Sequence, residues 1–157
     1  MKKLKNPYTR FKSYNCFGCS PDNVLVLKME FYDDGEKLLT KWMPAKQFEG
    51  YTNVLHGGIQ ATLLDEISGW VINTKVQTSG LTISMDVRFL KPVHIDEGEL
   101  TIISWVKDVN RKIAIIESEL YNASNVKCTT SSMKFYLFPE EQAKEKLNYT
   151  GKESFYE

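Results

Sequence analysis

The stretch HGGIQATLLDE, residues 56 to 66, sets two adjacent glycines and a histidine ahead of two adjacent acids. From Ile59 to Ile72 the only charged residues are Asp65 and Glu66, so this reads as an apolar helix that carries chemistry. Gly57 and Gly58 would leave the first-turn N–H groups open to close approach, at the positive end of the helix dipole. A carbonyl oxygen reaching those donors sits in an oxyanion hole, where a single donor is worth on the order of 10²–10³ in rate. A mid-helix carboxylate is costly to bury without a partner, and it can serve as a base toward water. Gly58 and Asp65 are separated by roughly 10 Å along the axis at 1.5 Å per residue. An extended substrate must bridge them, or they belong to different copies of the site. The plain alternative is turn chemistry at the glycines and an ordinary donor for Asp65.

The elements that must position these residues follow from periodicity. Residues 25 to 32, LVLKMEFY, alternate in the manner of a half-buried strand, and Asp33-Asp34-Gly35 supplies a turn. KLLTKWM at 37 to 43 is the partner strand, ended by Pro44, and a loop with Phe48 and Tyr51 leads to the helix. On that helix Ile59, Leu63, Ile67 and Trp70 form an apolar stripe with Glu66 at its margin. Ala61, Asp65, Ser68 and Ile72 lie on a narrower face of mostly small residues. After Gly80, Leu81, Ile83, Met85, Val87 and Phe89 alternate with polar residues; two strands flanking Asn110-Arg111 read as a hairpin, and residues 127 to 138 as a last strand. Pro139 opens a short polar helix, EEQAKEKL, in which Glu140 can pair with Lys144. Two strands, one long helix and four strands make an α+β protein with the helix packed on one antiparallel sheet.

At 157 residues the chain suits one domain with a real core, and 42% hydrophobic content is globular. Twenty basic and twenty acidic residues leave no net field to favour nucleic acid. No run approaches a membrane span, the basic start MKKLKNPYTRFK lacks a following apolar run, and a cytoplasmic protein is expected. Residues 1–13 read as a basic tail, 14–138 as the domain, and 139–157 as a short helix and an uninformative end. Three cysteines argue against a disulfide framework. Cys16 and Cys19 have the spacing of a metal knuckle, but a structural zinc site needs four ligands. Only Cys128, His56 and His94 remain as candidates, so a turn packed on the domain is expected, with no metal or other cofactor.

LHGGIQATLLDE at 55 to 66, TISMDVRFLKP at 82 to 92 and CFGCSPDN at 16 to 23 together resemble the hotdog-fold acyl-CoA thioesterases, in particular the phenylacetate-pathway and 4-hydroxybenzoyl-CoA type. The resemblance covers roughly residues 14 to 138. It implies a five- or six-stranded antiparallel sheet wrapped round one central helix, and a homodimer or tetramer acting on acyl-CoA. Active sites at the subunit interface would explain the separation of Gly58 from Asp65. By the same resemblance Asp65 is the general base or nucleophile, Gly58 the oxyanion donor with Gly57 beside it, and His56 a positioner of loop and thioester. Thr82, ten residues before Pro92, would orient the water. Phe48, Tyr51 and Asn53 are candidates for substrate contact. Some relatives have an asparagine six residues before the histidine, where this chain has Gly50. Glu66 is expected to face away from the site. The competing readings are a non-catalytic acyl-CoA-binding module and a hotdog dehydratase.

Overall fold

A computed structural model describes residues 1–156. Its strands are β1 (Lys2–Lys3), β2 (Tyr32–Asp34), β3 (Lys37–Trp42), β4 (Gly80–Phe89), β5 (Leu100–Asn110), β6 (Ile113–Tyr121) and β7 (Lys127–Leu137). The helices are α1 (Gly57–Val71) and α2 (Glu140–Leu147). All strands join one antiparallel sheet in the order β1-β2-β3-β5-β6-β7-β4. α1 lies across β3, β5, β6, β7 and β4. One long helix embraced by one antiparallel sheet is the hotdog fold.

Period-two burial explains the middle of the sheet. Leu100, Ile102 and Ser104 of β5, with Ala114, Ile116, Ser118 and Leu120 of β6, all turn toward α1. Leu63, Leu64, Ile67 and Val71 meet them from the helix, each fully excluded from water. Burying one such side chain stabilises by about 1.5–3 kcal/mol. A serine relay crosses this interface: Ser68 donates to Leu64 O at 2.7 Å, its Oγ lies 2.9 Å from Ser118, and Ser118 donates to Ser104 at 2.7 Å. The small-residue face of α1 is therefore not wholly open, because Ser68 and Ile72 are buried. Small hydroxyls let helix and sheet approach while satisfying one another.

Several expectations change. The sheet has seven strands rather than five or six, the addition being two-residue β1, which pairs with β2. Residues 25 to 31 are not a strand: Leu27 and Met29 donate to the carbonyls of Phe17 and Gly18, and Lys28 has φ 52°. Leu27, Met29 and Phe31 are buried as the alternation requires, but Leu25 is 74% exposed. The hairpin turn falls one residue later than expected, with Asn110 paired to Ile113 and Arg111 at φ 55°. α2 forms as read, with Lys144 Nζ 3.0 Å from Glu140.

The two ends are more structured than their composition suggests. Leu4 is buried, and Tyr8 stacks on Tyr14 at 5.7 Å between ring centroids. Phe155 is fully buried, edge-on to Trp70 at 5.3 Å and to Tyr8 at 5.9 Å. Trp70 also stacks on Phe31 at 4.3 Å, so it belongs to the core as expected. N- and C-terminal segments thus share an aromatic cluster over the second half of α1.

Candidate active site

Asp65 projects from the middle of α1 toward β4, where Thr82 Oγ1 donates to its Oδ1 at 2.7 Å. Among the described residues no protein donor reaches the other carboxylate oxygen. Both residues line a cavity of about 520 Å³ whose walls include Trp70, Leu81 and Phe135. Tyr8, Phe11 and Tyr14 close it from the N-terminal segment. A register shift between Thr82 and Ser84 sets the phase of β4. The alternation read in this strand is corrected: Leu81 and Ile83 are 52% and 55% exposed, and Phe89, in phase with Met85 and Val87, is 55% exposed at the end of the strand. β4 pairs only with β7, so its other edge is open.

The start of α1 is capped by His56, whose Nδ1 accepts from the Gly58 N–H at 2.9 Å. The donor expected for an oxyanion is thereby engaged by the motif histidine itself. Among the described residues the Gly57 N–H has no partner, and it carries the positive end of the helix. A Cβ on Gly57 would stand 3.3 Å from the Phe89 ring, and one on Gly58 3.1 Å from the His56 imidazole. A side chain at either position would need the neighbouring ring to move by a few tenths of an ångström. His56, Gly57 and Gly58 do not line the Asp65 cavity, so the separation deduced from helix rise holds within one chain.

Three expected substrate contacts lie elsewhere. Asn53, at φ 62°, exchanges hydrogen bonds with Asp96: its Nδ2 donates to Asp96 Oδ1 at 2.9 Å, and the Asp96 N–H donates back at 3.1 Å. That clasp fixes the loop entering α1. Phe48 packs on Trp42 at 5.5 Å, and Tyr51 is 87% exposed. None of the three borders the cavity.

Glu66, by contrast, opens on the same cavity as Asp65. Its carboxylate accepts from Cys19 Sγ at 2.7 Å and from Cys16 Sγ at 3.4 Å. Burial, then the charge of Cys16, pushes Glu66 up to about 7. The hydrogen bond from the Cys19 thiol, with backbone N–H groups of Cys19 and Gly18, outweighs burial and pulls Cys16 down to about 5. The same thiol–thiol bond and burial push Cys19 up. The helical wheel placed Glu66 only at a stripe margin; the partner loop lies about fifty residues upstream, where no periodicity argument reaches. The legible signal was the coincidence of an unpaired helix acid with an unassigned Cys-x-x-Cys.

Residues 52–129 match the family model of the thioesterase superfamily. That thioesterase window contains His56, Asp65, Glu66 and Thr82 but ends upstream at residue 52, short of Cys16 and Cys19. Mouse acyl-coenzyme A thioesterase 13 is 28% identical over 93 residues, which is 59% of this chain and 66% of that protein. The zebra fish thioesterase superfamily member 2 superposes with a TM-score of 0.66 at 23% identity, covering 76% of this chain and 88% of that one. A hypothetical thioesterase from Streptococcus pneumoniae TIGR4, solved with coenzyme A, gives 0.65 at 20% identity, covering 71% and 87%. These structural likenesses establish the fold. No helix is long and apolar enough to cross a membrane among the described residues.

Proposed function

We propose that this chain hydrolyses an acyl-CoA thioester to the free acid and CoA. The observation that carries the reading is the Thr82–Asp65 pair at the wall of a cavity large enough for an acyl group. Asp65 acts as general base. It takes a proton from water as the water oxygen bonds to the thioester carbon, and Thr82 holds one carboxylate oxygen so that the other faces the water. The carbonyl becomes an oxyanion; its collapse breaks the C–S bond and CoA leaves as a thiol after receiving a proton. The pneumococcal relative solved with coenzyme A supports the substrate class.

The oxyanion donor in this proposal comes from the α1 start of a second copy. The open edge of β4, with exposed Leu81, Ile83 and Phe89, supports a homodimer, and a pair of dimers would give the tetramer. Gly57 N–H is available for the role. Gly58 N–H joins it when the His56 ring turns away, which lets His56 act as positioner rather than base.

A non-catalytic acyl-CoA-binding module is favoured by one observation, the capture of the Gly58 N–H by His56. Release of free thiol from a panel of aryl, short, medium and long acyl-CoAs separates the two, with Asp65→Ala assayed alongside. Turnover lost in the variant supports hydrolysis. Binding of equal strength to both proteins without turnover supports the module.

A further inference from the structure

We infer that Cys16, Cys19 and Glu66 form a three-ligand site for a zinc ion, with its fourth position open to the cavity. This site is separate in its ligands from the Asp65–Thr82 pair, though the inference shares the cavity wall with that reading.

The three side chains offer ligand atoms that all lie within 4.8 Å of one another. The two sulfurs are 3.5 Å apart, and Cys16 Sγ is 3.4 and 3.5 Å from the two oxygens of Glu66. Zinc bonds of about 2.3 Å to sulfur and 2.0–2.2 Å to oxygen give tetrahedral edges of roughly 3.8 Å between sulfurs and 3.5–3.7 Å from sulfur to oxygen. Two edges of the triangle lie within a few tenths of an ångström of those lengths. The third, from Cys19 to Glu66, is 2.7 Å and opens on metal binding, which a shift of the flexible glutamate accomplishes.

The loop around the ligands is shaped for this. Gly18 N–H donates to Cys16 Sγ at 3.3 Å, the amide-to-sulfur bond that stabilises a thiolate in a Cys-x-x-Cys turn. Ser20 N–H closes the turn on Cys16 O at 3.1 Å. A Cβ at Gly18 would come within 2.5 Å of the Glu66 carboxyl carbon, so a side chain there would push the acid away from the turn. Tyr14 Oη sits 2.8 Å from Cys19 Sγ and shares the cavity wall with the cluster.

Charge supplies the remaining argument. Two thiolates and a carboxylate carry three negative charges, and no basic side chain forms an ion pair with Glu66 among the described residues. Without a cation the cluster must retain protons to persist in a half-buried place. A borderline-soft divalent ion accepts two sulfurs and an oxygen together and displaces those protons. Three protein ligands and an open position match the chemistry of a zinc that binds solvent or a small ligand. Bound there, the ion pins the N-terminal segment to α1 and so fixes the wall that faces Asp65.

The test uses the full chain, stripped with chelator under reducing conditions. Cobalt(II) is added first as a spectroscopic probe. The expected result is a thiolate-to-cobalt charge-transfer band and tetrahedral d–d absorption that saturate at one ion per chain and disappear when zinc(II) displaces it. Cys16→Ser, Cys19→Ser and Glu66→Gln should each weaken zinc binding by at least about 10²-fold, more than the loss of an outer-shell group. Cys128→Ser should bind as the parent does. Circular dichroism and thermal melting of Glu66→Gln, which keeps shape and volume, separate loss of the site from loss of the fold. Absence of the charge-transfer band in the folded parent overturns the inference, as does unchanged affinity in folded Glu66→Gln. Failure of the reduced chain to take up zinc, with the Cys16 and Cys19 thiols shown to be free, also overturns it. Metal binding is read without turnover, so an active hydrolase that binds no zinc refutes this inference alone, and a zinc protein without activity refutes the hydrolase alone.

Discussion

Thr82 and Asp65, seventeen residues apart, meet across the gap between β4 and α1 through a 2.7 Å hydrogen bond. Its direction matters. The hydroxyl donates to one carboxylate oxygen and leaves the other to receive a proton from water. The pair faces a cavity walled by both apolar and polar side chains, and β4 itself is an edge strand.

Removing the base tests the chemistry most directly. Asp65→Asn preserves shape and the bond from Thr82 but cannot accept the water proton. Its kcat should fall by ~10²-fold or more, in line with general-base contributions. Steady-state kinetics on the best acyl-CoA, with circular dichroism to confirm an intact fold, check this; a near-normal kcat removes Asp65 from the mechanism.

Thr82 should act on kcat more than on KM, because it orients Asp65 rather than the substrate. Thr82→Val, nearly isosteric, should lower kcat by about 10-fold, the equivalent of one lost hydrogen bond of about 1.4 kcal/mol. Thr82→Ser should restore most of the rate. A full rate in Thr82→Val with a loss in Thr82→Ser would show that the methyl group, not the hydroxyl, is what the site needs.

The open edge of β4 should be covered in solution. Light scattering over a range of concentrations is expected to give a dimer or tetramer. Ile83→Lys puts a charge on the exposed edge, the device by which edge strands avoid pairing. It should shift the protein to monomer and lower turnover in parallel, because each site would lose the α1 start of its neighbour. A monomeric parent with full activity contradicts the shared site.

Acid stability should depend on Asp33. Burial works to raise its pKa, but hydrogen bonds from Lys75 Nζ, at 2.7 Å, and from Tyr156, with the charge of Lys75, outweigh it and hold the group below the usual carboxylate value. A depressed folded-state pKa contributes stability above the unfolded value of about 3.9, which is lost as pH falls through the folded value. Asp33→Asn should therefore be less stable than the parent at neutral pH, and the difference should shrink on acidification below pH ~4. Urea unfolding at neutral and acid pH measures it; a difference independent of pH assigns the effect to packing.

Local pattern determined a good part of this protein. The period of apolar residues located α1, β3, β5, β6 and β7, because each buries one face and the period records which, while Pro139 and the Glu140–Lys144 spacing located α2. The isolated acid at 65 and the glycine pair at 57 and 58 stood out for the same reason, as exceptions to an apolar helix. What lay beyond reach depended on partners distant along the chain. Glu66 was placed away from the site because its angular position lies between faces; only the fold brings Cys16 and Cys19 onto it across about fifty residues. The bulge beside Thr82 reset the phase of β4, and a period cannot reveal where it slips. Leu25 alternates correctly yet is exposed, because the carbonyls of Phe17 and Gly18, not a neighbouring strand, receive the N–H groups of Leu27 and Met29. Phe155, in a polar tail with no periodicity, is buried because Tyr8 and Trp70 leave an aromatic-sized place for it. Sequence pattern reports each segment's preference for water; which segments meet, and so which side chains share a cavity, is decided only when the chain closes on itself.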